Sequence, residues 1–166
     1  MPAITPFLWF NDKAEAAANF YVSIFPNSKI LSVSRYGDAG PGAKGSVMTV
    51  NFELDGRQFT ALNGGPRYSF TPSVSFLIPC ETQQEVDHYW DKLTSGGKPI
   101  QCGWLEDKYG LSWQIVPKEL FRLVQDKDPA KSQRVMKAML QMVKLDVSRL
   151  QQAANESEIA ARPVGL

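Results

Sequence analysis

Apolar and polar positions follow the same order twice along this chain. When the sequence is shifted by 69 residues, the segment 7–21 falls on the segment 76–90. Each segment holds a short apolar run, a polar break and an amphipathic stretch that ends in an aromatic pair, Phe20-Tyr21 or Tyr89-Trp90. The pattern predicts a strand, a turn and a helix in each copy, and therefore a duplicated module.

The likeness resumes after the helices with a shorter offset of 54 residues, which places segment 55–62 on segment 109–116. The first copy therefore carries about fifteen extra residues. They include the segment 37–45, which has four glycines and no apolar periodicity. This composition predicts a loop inserted between two strands.

The first copy predicts a β-α-β-β-β order. Asn11 and Asp12 offer side-chain oxygens to cap the helix, and Asp55-Gly56 is typical of a tight hairpin turn. The predicted elements are a strand over 4–10, a helix over 13–24, and strands over 29–36, 46–54 and 58–63.

The second copy predicts the same order, with Gly96-Gly97 ending its helix. Its predicted elements are a strand over 74–80, a helix over 83–94, and strands over 99–104, 104–108 and 111–116.

Helical character replaces strand character after Pro117. Helices are predicted over 119–124 and over 129–143, the latter with Asp128 as its N-cap, and Asp146 caps one further helix. Seven apolar residues form a stripe that is expected to lie in the core or, alternatively, against a partner. They are Val135, Met136, Met139, Leu140, Val143, Val147 and Leu150.

These elements predict one domain of the α+β class. We expect a first βαβββ module over 1–66 and a second over 67–117. A C-terminal helical appendage is expected over 118–155 and a flexible tail over 156–166.

Charge and composition narrow the function classes. The formal net charge is +1 and no Lys/Arg stripe occurs, so nucleic acid is not expected as a partner. No apolar run is long enough for a membrane span and no secretory signal is evident, which predicts a cytoplasmic protein without membrane contact. Cys80 and Cys102 match no metal or disulfide pattern and are expected as reduced thiols.

Residue types that carry common catalytic chemistry are sparse. His88 is the only histidine and is expected on the surface of the second helix. Glu53, Glu106 and Asp107 are interpreted as solvated carboxylates, although Glu53 could face a site if its strand phase allows. No GxSxG elbow occurs, so a nucleophilic triad is not expected.

Four segments resemble the PhnB-like family of the vicinal oxygen chelate superfamily, which includes glyoxalases, bleomycin-resistance proteins and dioxygenases. They are PFLWF at 6–10, KGSVMTV at 44–50, FTALNGGP at 59–66 and CGWLEDKYGLSWQ at 102–114.

The resemblance, taken to span nearly the whole chain including the methionine-rich helix, implies that the tandem modules curl into a cup-shaped mixed sheet and that two chains pair as a homodimer. Family members often carry the label 3-demethylubiquinone-9 3-methyltransferase. The glycines here do not form the strand-to-helix turn that holds S-adenosylmethionine, so no such cofactor is expected.

The resemblance also implies four inward-facing metal-ligand positions, which fall on Thr5, Thr60, Val74 and Gln114. None of them supplies a carboxylate, imidazole or thiolate, and hydroxyls with one amide hold divalent metals poorly. We therefore predict no catalytic metal.

Alternation from these positions predicts an apolar and aromatic lining with a few hydrogen-bonding groups. The leading hypothesis is a metal-free protein that binds an apolar or aromatic small molecule, oriented by Gln114, Thr5 and Thr60. The alternatives are that these residues fill the core, that the chain is an assembly module, or that it is an enzyme acting on an aromatic or dicarbonyl substrate. Such an enzyme would be of the lyase, isomerase or dioxygenase type and would use Gln114, Glu53 or Tyr109, or a metal held at other positions. A further alternative is the methyltransferase that the family label suggests. No catalytic residue is assigned. The predicted lining residues are Thr5, Phe7, Trp9, Thr60, Leu62, Val74, Phe76, Ile78, Ser112 and Gln114.

Overall fold

The computed structural model describes residues 4–156, so the tail predicted over 156–166 lies outside the described residues except for its first position. The chain divides into two compact units, with the boundary in the sequence between Pro72 and Ser73. The first unit holds one helix and a four-stranded sheet. Its elements are β1 (Phe7–Phe10), α1 (Ala14–Ile24), β2 (Lys29–Arg35), β3 (Val47–Leu54) and β4 (Arg57–Asn63).

The first sheet is mixed, with the strand order β1-β4-β3-β2. β1 runs parallel to β4, whereas the β2–β3 and β3–β4 pairs are antiparallel. Asp55 and Gly56 join β3 to β4 with φ angles of 45° and 77°, as the two-residue hairpin turn requires. The predicted β-α-β-β-β order is confirmed.

Helix α1 packs on one face of this sheet through five buried residues that recur at three- and four-residue spacing. Small alanines let the helix backbone approach the strands closely, and Tyr21 stacks against Phe52 with ring centroids 6.3 Å apart. The buried residues of α1 are Ala14, Ala17, Ala18, Tyr21 and Ile24. Those of the strands beneath are Leu8, Phe10, Val50, Phe52, Leu54, Phe59 and Ala61.

The first unit extends past β4, because two aromatic side chains of the following segment return to β1. Tyr68 meets Trp9 edge-on with ring centroids 5.0 Å apart, and Phe70 meets Phe10 in the same way at 5.2 Å. These contacts tie the segment after residue 66 to the first module.

The second unit repeats the module and adds three helices. Its sheet has the order β5-β8-β7-β6, in which β5 runs parallel to β8. Its elements are β5 (Ser75–Cys80), α2 (Gln83–Thr94), β6 (Lys98–Pro99), β7 (Trp104–Glu106), β8 (Ser112–Pro117), α3 (Lys118–Val124), α4 (Pro129–Leu140) and α5 (Val147–Asn155).

Several strands are shorter than predicted, and β6 differs most. β6 ends at Pro99 rather than near 104, because Cys102 and Gly103 both adopt positive φ, at 60° and 80°. Their backbone N–H groups donate to the carbonyls of Met142 and Val143 instead of continuing a strand ladder. The β6–β7 turn is therefore one of the places where the helical appendage is hydrogen-bonded to the second module.

The appendage has its own apolar core and the N-caps that the sequence predicted. The side chains of Asp128 and Asp146 accept hydrogen bonds from the first turns of α4 and α5. Of the predicted stripe, Val135 and Leu150 are buried, whereas Met136, Leu140 and Val143 are 36–53% exposed. The buried cluster comprises Val116, Leu120, Leu123, Val135, Met142, Leu145, Leu150 and Ala154.

Gln83 joins the appendage to α2 with both ends of its amide. Its Nε2 donates to the carbonyl of Leu145, and its Oε1 accepts from the N–H of Val147 at 2.8 Å. Beside it, Lys144 lies 2.8 Å from Asp87 and, through that hydrogen bond, holds the pKa of this carboxyl below its usual range. The side-chain amide of Gln83 thus supplies the hydrogen bonds that connect the start of α2 to the start of α5.

We expect Gln83→Leu to lower the free energy of unfolding by about 2 kcal/mol, because two backbone groups of the 145–147 segment lose their partner. Urea denaturation measures this change, and amide hydrogen exchange is expected to quicken in α5. The neighbouring exposed residue supplies the control, since Gln84→Leu is expected to change neither quantity. Equal effects of the two substitutions would contradict the role assigned to Gln83.

Within residues 4–156, none of the helices is long and apolar enough to cross a membrane.

Candidate functional site

The face of the first sheet opposite α1 carries most of the first-module residues that the sequence singled out. In-register pairing places Phe7 beside Thr60 and Trp9 beside Leu62 on this face. We call it the first open face. Thr5 is exposed and lies two residues before β1 begins. The first open face comprises Phe7, Trp9, Ser32, Ser34, Thr49, Asn51, Glu53, Gln58, Thr60 and Leu62.

Hydrogen bonds run across the middle of the first open face from strand to strand. Thr60 Oγ1 donates to Asn51 Oδ1 at 2.7 Å, and Asn51 Nδ2 donates to Ser32 Oγ at 2.9 Å. In the next row, the hydroxyls of Ser34 and Thr49 share a hydrogen bond of 2.5 Å. The central polar groups are therefore held in fixed orientations by the sheet itself.

An aromatic edge borders these polar groups on β1. Phe7 is 61% exposed, whereas the indole of Trp9 is half-buried and its Nε1 donates to the carbonyl of Gly65 at 2.9 Å. The indole lies directly on Gly64, where an added Cβ would come within 2.4 Å of the ring. Gly64 and Gly65 thus fix the position of Trp9.

Glu53 lies on the first open face, because it pairs in register with Gln58 two residues from the Asn51–Thr60 pair. It is half-buried, and Lys29 is its partner on the other neighbouring strand. Glu53 therefore points to the same side of the sheet as Thr60, as its interpretation as a functional residue required.

The second sheet corrects part of the predicted lining. Gln114 pairs with Leu77, and its Nε2 donates to Ser75 Oγ at 2.8 Å, so Ser75, Leu77, Ser112 and Gln114 share one face. Phe76 instead pairs with buried Trp113, their ring centroids 5.6 Å apart, on the opposite face.

The prediction that Val74, Phe76 and Ile78 share a face with Gln114 is therefore wrong. Phe7 pairs with Thr60 and Leu77 pairs with Gln114, so the equivalent of Phe7 in the second sheet is Leu77 and not Phe76. The equivalent residue therefore lies one position later than the 69-residue shift implies. A slip of one residue moves every side chain of a strand to the other face. Val74 precedes β5 and is 66% exposed.

The corrected register changes one of the four implied metal positions, which now fall on Thr5, Thr60, Ser75 and Gln114. Neither the pair of the first unit, Thr5 and Thr60, nor the pair of the second, Ser75 and Gln114, includes an anionic or imidazole donor. Neither pair therefore fits a catalytic divalent metal. Within residues 4–156, no three side chains of His, Cys, Asp or Glu lie together as a potential metal site.

Ser112 is unusual among the lining residues because its hydroxyl is buried without a partner. The residue is 1% exposed, and no group of the described chain forms a hydrogen bond with its Oγ. Ser75 lies beside it in register, but the hydroxyl of Ser75 is bonded to Gln114. A buried unsatisfied hydroxyl lowers stability.

We expect Ser112→Ala to raise the free energy of unfolding by about 1 kcal/mol, since it removes this unsatisfied group with little change in shape. Ser75→Ala is the matched control and is expected to lower it by a similar amount, because Gln114 then loses its partner. Urea denaturation distinguishes the two, and destabilisation by both substitutions would show that Ser112 has a partner.

A surface cleft of about 530 Å³ lies at the C-terminal end of β4 and was not predicted from the sequence. Its lining includes Tyr36, whose hydroxyl donates to the carbonyl of Asn63 at 2.6 Å. Its acidic groups are Asp12 and Glu15 at the start of α1. The side chain of Asn63 also caps α1, since its Oδ1 accepts from Ala14 N at 2.8 Å.

The N-cap prediction for α1 is therefore wrong. The position before the helix is Lys13, which makes no side-chain cap, and neither Asn11 nor Asp12 supplies one. A side chain distant in sequence, Asn63, satisfies the first backbone N–H instead. Tyr36 and Asn63 are 27 positions apart in the sequence and come together only in the fold, so the sequence alone did not predict the cleft that they line.

Asp107 is buried rather than solvated, which corrects the sequence interpretation. It is 2% exposed, and its carboxylate accepts hydrogen bonds from the backbone of Tyr109 and Leu111 and from the indole N–H of Trp113. Burial, with a smaller effect of Asp107, raises the pKa of the Tyr109 phenol. Asp107 therefore organises the β7–β8 turn.

The remaining candidate groups have ordinary surroundings. His88 is exposed on α2, as expected, with its ring edge-on to Tyr89 at 5.1 Å between centroids. Glu106 pairs with Lys98 at 3.2 Å. Burial, and to a lesser extent Glu85, raises the pKa of the Cys80 thiol to about 12, so this thiol is not a nucleophile at neutral pH.

Comparisons with known proteins agree on the two modules. The family model described as 3-demethylubiquinone-9 3-methyltransferase matches residues 2–116. A solved structure provisionally assigned as a 3-demethylubiquinone-9 3-methyltransferase, the PhnB protein of Bacillus cereus, is 40% identical, covers 70% of this chain and 99% of its own, and has a TM-score of 0.64.

A second solved structure shows the same fold at lower identity. This protein of Pseudomonas aeruginosa is 17% identical, covers 70% of this chain and 98% of its own, and has a TM-score of 0.60. No curated protein sequence matches the chain. The family match ends at residue 116, so the resemblance expected for the methionine-rich helix lies outside it.

Proposed function

Since the chain belongs to the 3-demethylubiquinone-9 3-methyltransferase family, of which the PhnB-like proteins are members, we propose that it binds a small apolar or aromatic molecule on the first open face, without a catalytic metal. The observation that carries the proposal is the aromatic edge formed by exposed Phe7 and half-buried Trp9 beside the fixed hydrogen-bonding groups of Thr60 and Asn51.

This combination has the chemistry of a small-molecule site. Apolar and aromatic side chains supply affinity through burial, and a few oriented polar groups fix the pose of the ligand. Phe7 is mostly exposed although its neighbour Leu8 is buried, so the ring is free to contact a bound molecule. Thr60 is bonded to Asn51 and needs no rearrangement to meet a ligand.

The metal-free part of the proposal rests on the donor set of Thr5, Thr60, Ser75 and Gln114. Its test is elemental analysis of the purified protein. We expect no transition metal at a stoichiometric level, and zinc, nickel, manganese or iron at one ion per chain would overturn this part.

The methyltransferase description does not fit the glycines of this chain. S-adenosylmethionine sites of the usual kind use a glycine-rich turn that leads from a strand into a helix. Here the 37–45 segment joins the antiparallel strands β2 and β3, and Gly64-Gly65 follow β4 without a helix. Calorimetric titration with S-adenosylmethionine is expected to show no binding.

An enzyme acting on an aromatic dicarbonyl compound is the second candidate, favoured by the half-buried Glu53 on the same face as Thr60. A carboxylate at this place could act as a general base. Formation of mandelate from phenylglyoxal and water by the wild-type protein, absent in Glu53→Gln, would support this candidate over simple binding.

We expect Phe7→Ala to weaken binding of 2-naphthamide, a neutral aromatic probe, about fivefold to tenfold, because an aromatic contact is lost. The stability of the protein should change little, since Phe7 is 61% exposed. Val33→Ala is the control: Val33 is 40% exposed on the same sheet but pairs with buried Val50 on the opposite face. Fluorescence titration measures the affinity, and equal effects would place the ligand elsewhere.

A further inference from the structure

An arginine and a tyrosine extend the aromatic edge of the first open face. The ring of Tyr68 meets that of Trp9 edge-on, with centroids 5.0 Å apart. The guanidinium carbon of Arg67 lies 5.2 Å from the centroid of the Tyr68 ring. Two successive ring contacts therefore connect a positive charge to the indole that borders the proposed site.

The charge of Arg67 is not neutralised within residues 4–156, where no carboxylate forms an ion pair with it. Both Arg67 and Tyr68 are exposed. A guanidinium that rests on an aromatic ring keeps the N–H donors along its edge, and these donors match the two oxygens of a carboxylate. The ring contact also limits the rotamers of the arginine, so less conformational entropy is lost when an anion binds.

The carboxylate of the first open face lies at its other end. Glu53 pairs with Gln58, which precedes Leu62, the partner of Trp9, by four residues of β4. Four residues of a strand span about 13 Å. The face is therefore polarised along β4, with a guanidinium at the aromatic end and Glu53, with Lys29 beside it, at the far end.

We propose that the first open face selects aromatic carboxylates, with Arg67 pairing with the carboxylate and Phe7 and Trp9 contacting the ring. The inference rests on the proposed function and adds the charge of the ligand to it. Arg67 is the specificity-determining residue, because an uncharged aromatic molecule gains the ring contacts and not the ion pair.

The test compares 2-naphthoate with its neutral isostere 2-naphthamide by fluorescence titration of the full chain at low salt. The wild-type protein is expected to bind 2-naphthoate about tenfold more tightly, since one charge-assisted pair is present for only one of the probes. Arg67→Gln is expected to remove this difference, because 2-naphthoate then binds no more tightly than 2-naphthamide.

Arg57→Gln is the matched control. Arg57 is exposed and begins β4, but its partner in the ladder is Leu54, which faces α1, so it lies on the opposite face. Its substitution is expected to change neither affinity. A general effect of surface charge would instead lower 2-naphthoate binding equally in both variants, and would overturn the role of Arg67.

The remaining outcomes separate the inference from the function on which it rests. If the wild-type protein binds both probes equally, the selection of carboxylates is wrong and aromatic binding stands. If it binds neither probe at millimolar concentration, both the selection and the aromatic binding are overturned.

Discussion

Replacing Asp107 with alanine is expected to lower the free energy of unfolding by about 3 kcal/mol or more, because three hydrogen-bond donors lose one buried acceptor group. Asp107 Oδ1 accepts from Tyr109 N at 2.8 Å and from Leu111 N at 3.1 Å, and Oδ2 accepts from Trp113 Nε1 at 2.8 Å. Urea denaturation of the full chain measures the change.

Asp107→Asn refines this expectation. An amide oxygen in place of Oδ1 still accepts from the two backbone groups, but the amide nitrogen then faces the indole N–H of Trp113. The loss should be about 2 kcal/mol and should shrink when Trp113→Phe removes the opposing donor. Glu106→Gln is the control at the adjacent, half-exposed position, and a similar loss there would contradict the account.

Gly103→Ala is expected to destabilise the second unit by about 3 kcal/mol, for two reasons that act together. Gly103 has a φ of 80°, in the region that side chains disfavour. Its added Cβ would also lie 2.7 Å from the backbone oxygen of Ile115 and 3.0 Å from the side chain of Leu145. Thermal or urea unfolding would report the loss.

Gly110→Ala separates these two reasons. Gly110 has a similar φ of 87°, but nothing lies within 4 Å of an added Cβ there. Its substitution should therefore cost only the backbone term, about 1 kcal/mol. If both variants lose the same stability, the close approach of Leu145 and Ile115 to Gly103 has no energetic role.

The order of elements was predictable because each one has a local signal. Asp55-Gly56 predicts its hairpin, Asp128 and Asp146 predict their caps, and the spacing of the small and apolar residues of α1 predicts which side packs on the sheet. Such signals depend on residues a few positions apart. They survive tertiary packing because the packed structure uses the same local geometry.

The face assignment of β5 was not predictable from its own residues. Phe76, Leu77 and Ile78 are all apolar, so no alternation shows which of them points to the helix. The register with β8 decides, and it places Phe76 against Trp113 and Leu77 against Gln114. A strand with apolar residues at successive positions takes its orientation from its partner strand.

Long-range hydrogen bonds account for the other differences. Asn63 caps α1 from 49 positions away, and Gln83 meets the Leu145 carbonyl from 62 positions away. Asp107 follows a strand, where a charged residue is usually exposed to solvent. Only the folded turn brings the three N–H donors of Tyr109, Leu111 and Trp113 to its carboxylate. Polar residues in these roles have no periodic pattern by which they could be recognised.

The direction of the hydrogen bonds on the first open face leaves Thr60 able to act only as a hydrogen-bond acceptor towards a ligand. Its proton is committed to Asn51 Oδ1, and the amide of Asn51 is in turn committed to Ser32. What Thr60 can still offer an incoming molecule is therefore a lone pair and no proton. A ligand with a hydroxyl or amine at this point could donate a hydrogen bond to Thr60 Oγ1. A ligand carbonyl there would place two acceptor oxygens against each other without a proton between them.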